Sequence, residues 1–137
     1  MAPTPHVFES RFRARSYELD GFAHVNHTVF LNWFEQARFD VFEQGGFPAA
    51  EIQARGWGVY VVTLQVEYLK EARQGDELVV RTRVGDVTRA SMVFHQVASA
   101  VGSPDEASVV ASVTAVWIGT DRKPARIPQE VRAALGV

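Results

Sequence analysis

One amphipathic helix set among several β segments constrains this chain more than any other feature of its sequence. From about Thr28 the apolar residues recur every three or four positions, the period of an α-helix with one buried face. The apolar stripe consists of Phe30, Trp33, Phe34, Ala37 and Val41, and the polar stripe opposite it of Asn32, Gln36, Asp40 and Glu43. Gly45-Gly46 ends the helix and Pro48 prevents its resumption, whereas Asn26 or Thr28 caps its start.

The segment before the helix, Val7 to Tyr17, alternates strictly, which is typical of a strand with one solvated face. Its apolar and small residues are Phe8, Ser10, Phe12, Ala14 and Ser16. The opposite face carries four charges, Glu9, Arg11, Arg13 and Arg15. Burying four charges is too costly, so we expect this face to be solvated or to lie at a sheet edge.

The remainder of the chain is mostly β. Four strands are predicted, at Trp57–Leu69, Leu78–Val87, Ser91–Ala100 and Ala107–Ile118. Turns at Arg73–Asp76 and Gly102–Asp105 separate them, and short helices are predicted at Ala49–Arg55 and Gln129–Leu135. Strands joined mainly by hairpins make an antiparallel sheet, and the apolar face of the long helix must pack across it. The fold class is therefore α+β with two layers.

Length and composition exclude several classes of protein. The 137 residues suit one domain, 1–137, with residues 1–5 as a loose tail. The chain has no cysteine, which fits a reducing compartment, and its net charge of −2 gives no basic excess for nucleic acid or acidic lipid. We see no signal segment, no stretch long enough to span a membrane, and no GxxxxGK[ST] or GxSxG motif. A cytoplasmic location is expected.

The loop before the helix reads ELDGFAHVNH, from Glu18 to His27, and Phe30 and the run Phe34-Glu35-Gln36-Ala37-Arg38 follow. This stretch resembles the 4-hydroxybenzoyl-CoA thioesterase family, the acyl-CoA thioesterases of the hotdog fold. In that family an acidic residue follows the first strand, a Gly-His-Val-Asn-like turn comes next, and the central helix carries an aromatic residue and a Glu. Tyr68-Leu69-Lys70 with Gly75-Asp76 also resembles the family. The resemblance implies a hotdog fold, in which an antiparallel sheet of about five strands wraps one long central helix.

Three positions depart from the family pattern. Ala23 stands where Gly is usual, so its methyl group either crowds the turn or is harmless, depending on whether the backbone needs a positive φ. Phe30 stands where Tyr is common, which removes any role of a hydroxyl there. Glu18 replaces an Asp, a change that looks tolerable.

The resemblance also implies the catalytic groups. Asp20 matches the family's carboxylate, which either attacks the thioester carbonyl directly or activates water as a general base. Taken alone, an Asp in a loop is more often a turn cap. The oxyanion is expected to be bound by backbone N–H groups at the start of the helix, chiefly that of His27, because the first helical N–H groups lack internal partners.

Other nearby residues have two interpretations each. Asn26 orients the carboxylate or simply caps the helix. Glu35 acts as a second carboxylate at the site, or it only pairs with Arg38 along the helix, which is favoured. His24, with Phe30, is a candidate for contact with substrate. The Asp20-x3-His24-x2-His27 spacing is not a recognised ligand pattern, so no metal is predicted.

The nucleotide end of CoA carries phosphates, for which cationic residues near turns are candidates. Lys70 and Arg89 are chosen as substrate-binding residues, and the wider set also contains Arg73, Arg122 and Lys123. The resemblance implies no cofactor, an acyl-CoA substrate, and a homodimer or dimer of dimers with two active sites at the subunit interface. Two rival functions are a hotdog hydratase or dehydratase and a non-catalytic acyl-CoA binding or assembly module. The acyl chain and the preference for CoA or a carrier protein are open.

Overall fold

The computed structural model describes residues 6–137 as one long helix packed against a five-stranded antiparallel sheet. The strands are β1 (Phe8–Arg13), β2 (Gly58–Tyr68), β3 (Glu77–Gly85), β4 (Ser91–Ala100) and β5 (Ala107–Ile118). The helices are α1 (His27–Gln44), α2 (Ala49–Ala54) and α3 (Gln129–Leu135). The predicted α+β class is confirmed. The proposed loose tail, residues 1–5, lies outside the described residues.

The strands lie in the order β1-β3-β4-β5-β2. Hairpins join β3 to β4 and β4 to β5, as predicted, but β2 and β3 do not pair with each other. The predicted turn after β2 does form, since Asp76 N–H donates to the Arg73 carbonyl at 3.1 Å and Gly75 has a φ of +85°. That turn leads across the sheet, because β2 pairs with β5 and β3 pairs with β1.

The predicted apolar stripe of α1 is the centre of the core. All five of its residues are buried, and Phe42 joins them. Facing them from the sheet are Val80, Met92, Phe94, Val113 and Trp117, each at most 1% exposed. Asn26 caps α1 through its side chain, which accepts from Thr28 N–H at 2.9 Å. The helix thus starts one residue before its predicted position and ends at Gln44, before the Gly45-Gly46 pair.

The first strand is shorter than its alternating pattern predicted. Strand β1 ends at Arg13, and Ser16–Glu18 forms a 3-10 turn. The carboxylate of Glu18 accepts from the Arg15 N–H at 2.9 Å, which stabilises this turn in place of further strand. The four charged side chains predicted to be solvated are all exposed, Glu9, Arg11 and Arg13 on this edge strand and Arg15 just after it, whereas Ser16 is exposed rather than buried.

The other edge strand, β2, leaves apolar side chains uncovered. Val61, Val62 and Leu64 are 48%, 60% and 43% exposed, and a register shift between Val61 and Thr63 marks a bulge. An exposed apolar edge offers unpaired backbone groups to another chain. No helix in the part of the chain that the structure describes is long and apolar enough to cross a membrane.

Candidate active site

The loop that joins β1 to α1 is held by backbone hydrogen bonds at both ends. Inside it, Asp20 N–H donates to the His24 carbonyl at 2.8 Å and Ala23 N–H to the Asp20 carbonyl at 3.2 Å. Val25 N–H donates to the Ala72 carbonyl at 2.7 Å, which fastens the loop to the segment after β2. This tight reversal requires a φ of +62° at Ala23. The position therefore uses the left-handed conformation that glycine adopts without strain.

The Asp20 side chain is oriented by its own turn. Its Oδ1 accepts from Phe22 N–H at 2.8 Å and from His24 N–H at 3.2 Å. Among the described residues, Oδ2 accepts no hydrogen bond. The two N–H donors hold the pKa of the Asp20 carboxyl below its ordinary value of 3.8, with a smaller contribution from the nearby His24 and His27. The site thus holds an ionised carboxylate with one oxygen fixed and the other available.

The start of α1 offers one unused donor close by. Thr28 N–H is taken by the Asn26 side chain and Val29 N–H by the Asn26 carbonyl, both at 2.9 Å. Within residues 6–137, the His27 N–H donates to no protein acceptor. A free N–H at the positive end of an 18-residue helix favours negative charge beside it.

Asp20 and His27 line one open cavity of about 280 Å³ between the loop, the start of α1 and the end of β2. The other lining residues are His24, Val25, Phe30, Tyr68, Leu69, Lys70 and Glu71. The His24 imidazole contacts the Glu71 carboxylate, and the Lys70 ammonium pairs with Glu106 at 3.2 Å. In the described chain, Asp20, His24 and His27 are not part of a cluster of three or more potential metal ligands.

Four predicted substrate-binding or catalytic residues therefore share the cavity with Asp20: His24, His27, Phe30 and Lys70. Asn26, Glu35 and Arg89 do not line it. Asn26 caps α1, so its alternative role toward the carboxylate has no contact to support it. Arg89 lies in the turn before β4, where its carbonyl accepts from Ile127 N–H at 2.9 Å. That turn joins β3 to β4, and no residue of either strand lines the cavity. The turn that carries Arg89 therefore lies away from the cavity.

Glu35 lies farther along α1 and does not form the predicted ion pair with Arg38. Arg38 instead donates to the Gln96 Oε1 at 3.0 Å, and the Gln96 amide donates to the Phe34 carbonyl at 2.9 Å. Gln96 is fully buried, so it draws the guanidinium toward the sheet and away from Glu35. Burial lowers the pKa of Arg38, and the charge of Glu35 opposes that shift.

Glu35 and Arg38 line a second, larger cavity of about 430 Å³, here called the α1–α2 chamber, between α1, α2 and the start of β2. Most of its other walls are apolar and include Phe39, Phe42, Ile52, Trp57, Val59 and Phe94. Arg122, one of the cations predicted for phosphate binding, lies at this chamber and donates to the Tyr60 hydroxyl at 2.9 Å. An apolar space of this size is typical of small-molecule sites.

Four residues that line the Asp20 cavity were not predicted as site residues, the apolar Val25 and Leu69 and the polar Tyr68 and Glu71. Tyr68 was quoted only as part of the resemblance, and its hydroxyl donates to the His27 carbonyl at 2.8 Å. Glu71 follows β2 and lines the cavity. The carbonyl of the next residue, Ala72, accepts from Val25 N–H of the loop and so keeps this segment beside the cavity. No local motif indicates either role, since both depend on the meeting of β2 with the start of α1.

Comparison with known proteins identifies the family of this chain. The model of the thioesterase-like superfamily matches residues 14–135. A chloroplastic acyl-acyl carrier protein thioesterase of Arabidopsis thaliana is 29% identical over 128 residues, which cover 93% of this chain and 68% of the plant protein. The long-chain acyl-CoA thioesterase FadM of Escherichia coli is 25% identical over 115 residues, 84% of each chain.

A solved structure supports the fold in the same way. A hypothetical protein from Aquifex aeolicus superposes with a TM-score of 0.86 at 26% identity, covering 93% of this chain and 98% of that one. The predicted hotdog architecture is therefore confirmed. The matches also confirm the predicted class of enzyme, a thioester hydrolase, and the chain belongs to the thioesterase-like superfamily.

Proposed function

We propose that this chain hydrolyses acyl-CoA thioesters to a carboxylic acid and free CoA at the cavity that contains Asp20. The observation that carries the proposal is the pairing of an available carboxylate oxygen, Asp20 Oδ2, with an unused helix N-terminal donor, His27 N–H, in the walls of one cavity. Thioester hydrolysis needs an attacking group and a donor for the developing oxyanion. These two groups supply both needs.

The reaction then runs in two steps. Asp20 Oδ2 attacks the thioester carbonyl carbon, and the oxyanion accepts from His27 N–H. The C–S bond breaks, CoA leaves as a thiolate that takes a proton from solvent, and an acyl–aspartyl anhydride remains. Water attacks the anhydride, which releases the carboxylic acid, restores the Asp20 carboxylate and returns one proton to solvent in place of the proton that the thiolate took up. The helix dipole stabilises the negative charge in both steps.

The electrostatics of Asp20 keep its carboxylate ionised, which both the nucleophilic and the general-base role require. The two N–H donors to Oδ1 hold the pKa of Asp20 below its ordinary value of 3.8. A lowered pKa weakens a carboxylate both as a base and as a nucleophile, so the proposal of direct attack rests on the available Oδ2 in the cavity. General-base activation of water is the alternative that the trapping experiment below decides.

The acyl group is proposed to occupy the α1–α2 chamber of a second subunit. Two copies of β2 paired antiparallel about a two-fold axis place the start of one strand beside the end of the other. Tyr68, the last residue of β2, lines the cavity together with Asp20, whereas Val59 near the start of β2 and Trp57 just before it line the chamber. A homodimer through β2 would therefore bring the α1–α2 chamber of the partner subunit toward the Asp20 cavity. Glu35 enters the site by this route, as part of the chamber wall.

The carrier of the acyl group is proposed to be CoA. The E. coli relative is a long-chain acyl-CoA thioesterase, and the plant relative is an acyl-acyl carrier protein thioesterase. Lys70 lines the cavity and, within residues 6–137, pairs only with the exposed Glu106, so it is the cation that we assign to a phosphate of CoA. Arg73 is close in sequence and is paired with Glu71 at 3.0 Å. Arg89 is withdrawn from this role, because its turn lies away from the cavity.

The experiment that tests the function is a thiol-release assay with purified protein. The panel consists of short, long and aromatic acyl-CoAs and the same acyl groups on acyl carrier protein. Release from acyl-CoA at a higher kcat/KM than from the carrier-protein forms supports the proposal. CoA binding without thiol release from any member supports the binding module instead, and hydration of crotonyl-CoA without thiol release supports the hydratase.

A second measurement separates nucleophile from base. Enzyme quenched with acid during turnover is digested and analysed by mass spectrometry, with and without hydroxylamine. An acyl adduct at Asp20, or the aspartyl hydroxamate in its place, supports direct attack. Rapid turnover that never yields either species contradicts it and favours general-base activation of water.

Two further expectations from the sequence stay predictions. They are that residues 1–137 form one domain and that the protein is cytoplasmic.

A further inference from the structure

Tyr68 is the last residue of β2, and its side chain lies against the first turn of α1. Its hydroxyl donates to the His27 carbonyl at 2.8 Å. Its ring meets the His27 imidazole edge-on, with centroids 6.2 Å apart, and the Phe30 ring in the same way at 6.1 Å. Among the described residues, the bond to His27 is the one hydrogen bond that joins β2 to α1.

The residue that Tyr68 holds is also the one with the unused N–H group. His27 is the first residue of α1, and terminal helical residues fray unless they are held by other contacts. Asn26 restrains the peptide that follows, through Thr28 N–H. Tyr68 restrains the carbonyl of that same peptide. The His27 N–H itself belongs to the preceding peptide, whose carbonyl, that of Asn26, accepts from Val29 N–H at 2.9 Å. With hydrogen bonds to the peptides on both sides of it, His27 has little freedom about its backbone angles.

An oxyanion donor works only when its direction is set before the reaction. Such donors act because they need no reorganisation as charge develops, and a tolerance of about 0.5 Å and 10–20° is typical for a productive site. The contacts with His27 and Phe30 restrict the motion of the Tyr68 ring, and this fixes the position of its hydroxyl. Phe30 is 2% exposed, so one of the two rings that restrict Tyr68 is itself packed in the core.

We propose that Tyr68 is a positioning residue that fixes the direction of the His27 N–H through its hydrogen bond to the His27 carbonyl. This inference rests on the proposed thioesterase function, because the direction of the His27 N–H matters for catalysis only if that group binds the oxyanion. Tyr68 does not itself touch the thioester in this role. Tyr68 therefore helps to stabilise the transition state and does not contribute to substrate binding.

The test compares Tyr68→Phe with Tyr17→Phe. Both changes remove one hydroxyl that makes one hydrogen bond, and Tyr17, which accepts from Arg15 at 3.2 Å and is 75% exposed, lies outside the cavity. The expected result for Tyr68→Phe is a kcat about tenfold lower with KM changed less than about twofold, since loss of a whole oxyanion donor costs 10²–10³. Tyr17→Phe is expected to leave kcat unchanged. An unchanged kcat in Tyr68→Phe, or an equal fall of kcat and rise of KM, overturns the proposal.

A second readout does not require turnover. Amide hydrogen exchange of the 27–31 segment is measured in wild type and in both variants. Faster exchange there in Tyr68→Phe alone, with the rest of α1 unchanged, supports the positioning role. Unchanged exchange, or faster exchange throughout the protein, overturns it. If the wild type releases no thiol from any substrate, the proposed function fails, and the exchange data still decide whether Tyr68 holds the helix start.

Discussion

The N–H of Phe22 donates a 2.8 Å hydrogen bond to Oδ1 of Asp20, two residues earlier in the same turn. This bond makes the largest contribution to the lowered pKa of Asp20, followed by that from His24 N–H. The turn-capping interpretation of Asp20 and the catalytic one are therefore not exclusive. The cap fixes one carboxylate oxygen and keeps the group ionised, and the other oxygen accepts no hydrogen bond from the part of the chain that the structure describes.

The lowered pKa of Asp20 predicts where activity is lost in acid. Catalysis requires the ionised carboxylate, so activity attributable to this group is complete above its folded pKa and falls as the pH drops through that value, below 3.8. We expect kcat/KM to show no acid limb between about pH 7 and pH 5. The measurement is a pH profile of thiol release, with circular dichroism at each pH to detect unfolding. An acid limb near pH 6 in folded protein contradicts this assignment.

Ala23 predicts a gain of stability from a single substitution. With a φ of +62°, a side chain with a Cβ is strained, and Ala23→Gly removes the strain. Part of the gain is offset by the greater freedom of glycine in the unfolded chain. We expect a net increase of about 0.5–1 kcal/mol in the free energy of unfolding and a Tm about 2–4 °C higher by calorimetry.

The matched control for Ala23 is the same substitution inside a helix. Ala50 is exposed within α2, and Ala50→Gly is expected to lower the stability by about 0.5–1 kcal/mol. Opposite signs for the two variants identify backbone conformation as the cause. A lower Tm for Ala23→Gly shows that the methyl group at position 23 stabilises the turn, contrary to our account.

The exposed edge of β2 predicts the effect of a charge at Val62. Val62 lies in the bulge and is 60% exposed, so Val62→Lys leaves the isolated fold intact. A lysine on a pairing edge opposes association, and two copies meet across the two-fold axis. We expect light scattering to show a dimer for the wild type and a monomer for the variant. We also expect kcat/KM to fall roughly tenfold or more, because under the proposed dimer a monomer lacks the α1–α2 chamber of its partner.

Val7→Lys serves as the control for this experiment, because Val7 is 46% exposed beside β1, the opposite edge strand. That variant is expected to remain dimeric and active. A monomeric wild type with full activity contradicts the shared site, as does a Val62→Lys variant that stays dimeric.

The sequence predicted those parts of the fold that depend on local pattern. The bounds of β4, β5 and α3 agree with prediction, and so do the buried stripe of α1 and its cap at Asn26. The hairpin pattern did not reveal that β2 crosses to the far edge, since strand pairing depends on contacts between distant segments. The buried Gln96, which diverts Arg38 from Glu35, occupies a position in β4 that nothing in the alternation distinguishes from its apolar neighbours.

The residues of the candidate site also divide into those that could be predicted from the sequence and those that only the fold brings together. Asp20 and His27 were identified because the resemblance covers their loop, not because their spacing alone indicates catalysis. Tyr68 and Glu71 come from 41 or more positions beyond His27, and only the packing of β2 against α1 brings them to the cavity. Arg89 was chosen for its charge and its place in a turn, and the sheet order puts that turn elsewhere.

The measurement that bears most directly on the central claim is kcat for thiol release by wild type and by Asp20→Asn, with Asp105→Asn as the control. The Asn side chain keeps the size of Asp20 and an acceptor oxygen for Phe22 N–H, and it removes the nucleophilic charge. Asp105 is exposed in the loop between β4 and β5. We predict a loss of roughly a hundredfold or more in kcat for Asp20→Asn and none for the control. An Asp20→Asn enzyme that keeps wild-type kcat contradicts the assignment of Asp20 as the catalytic group.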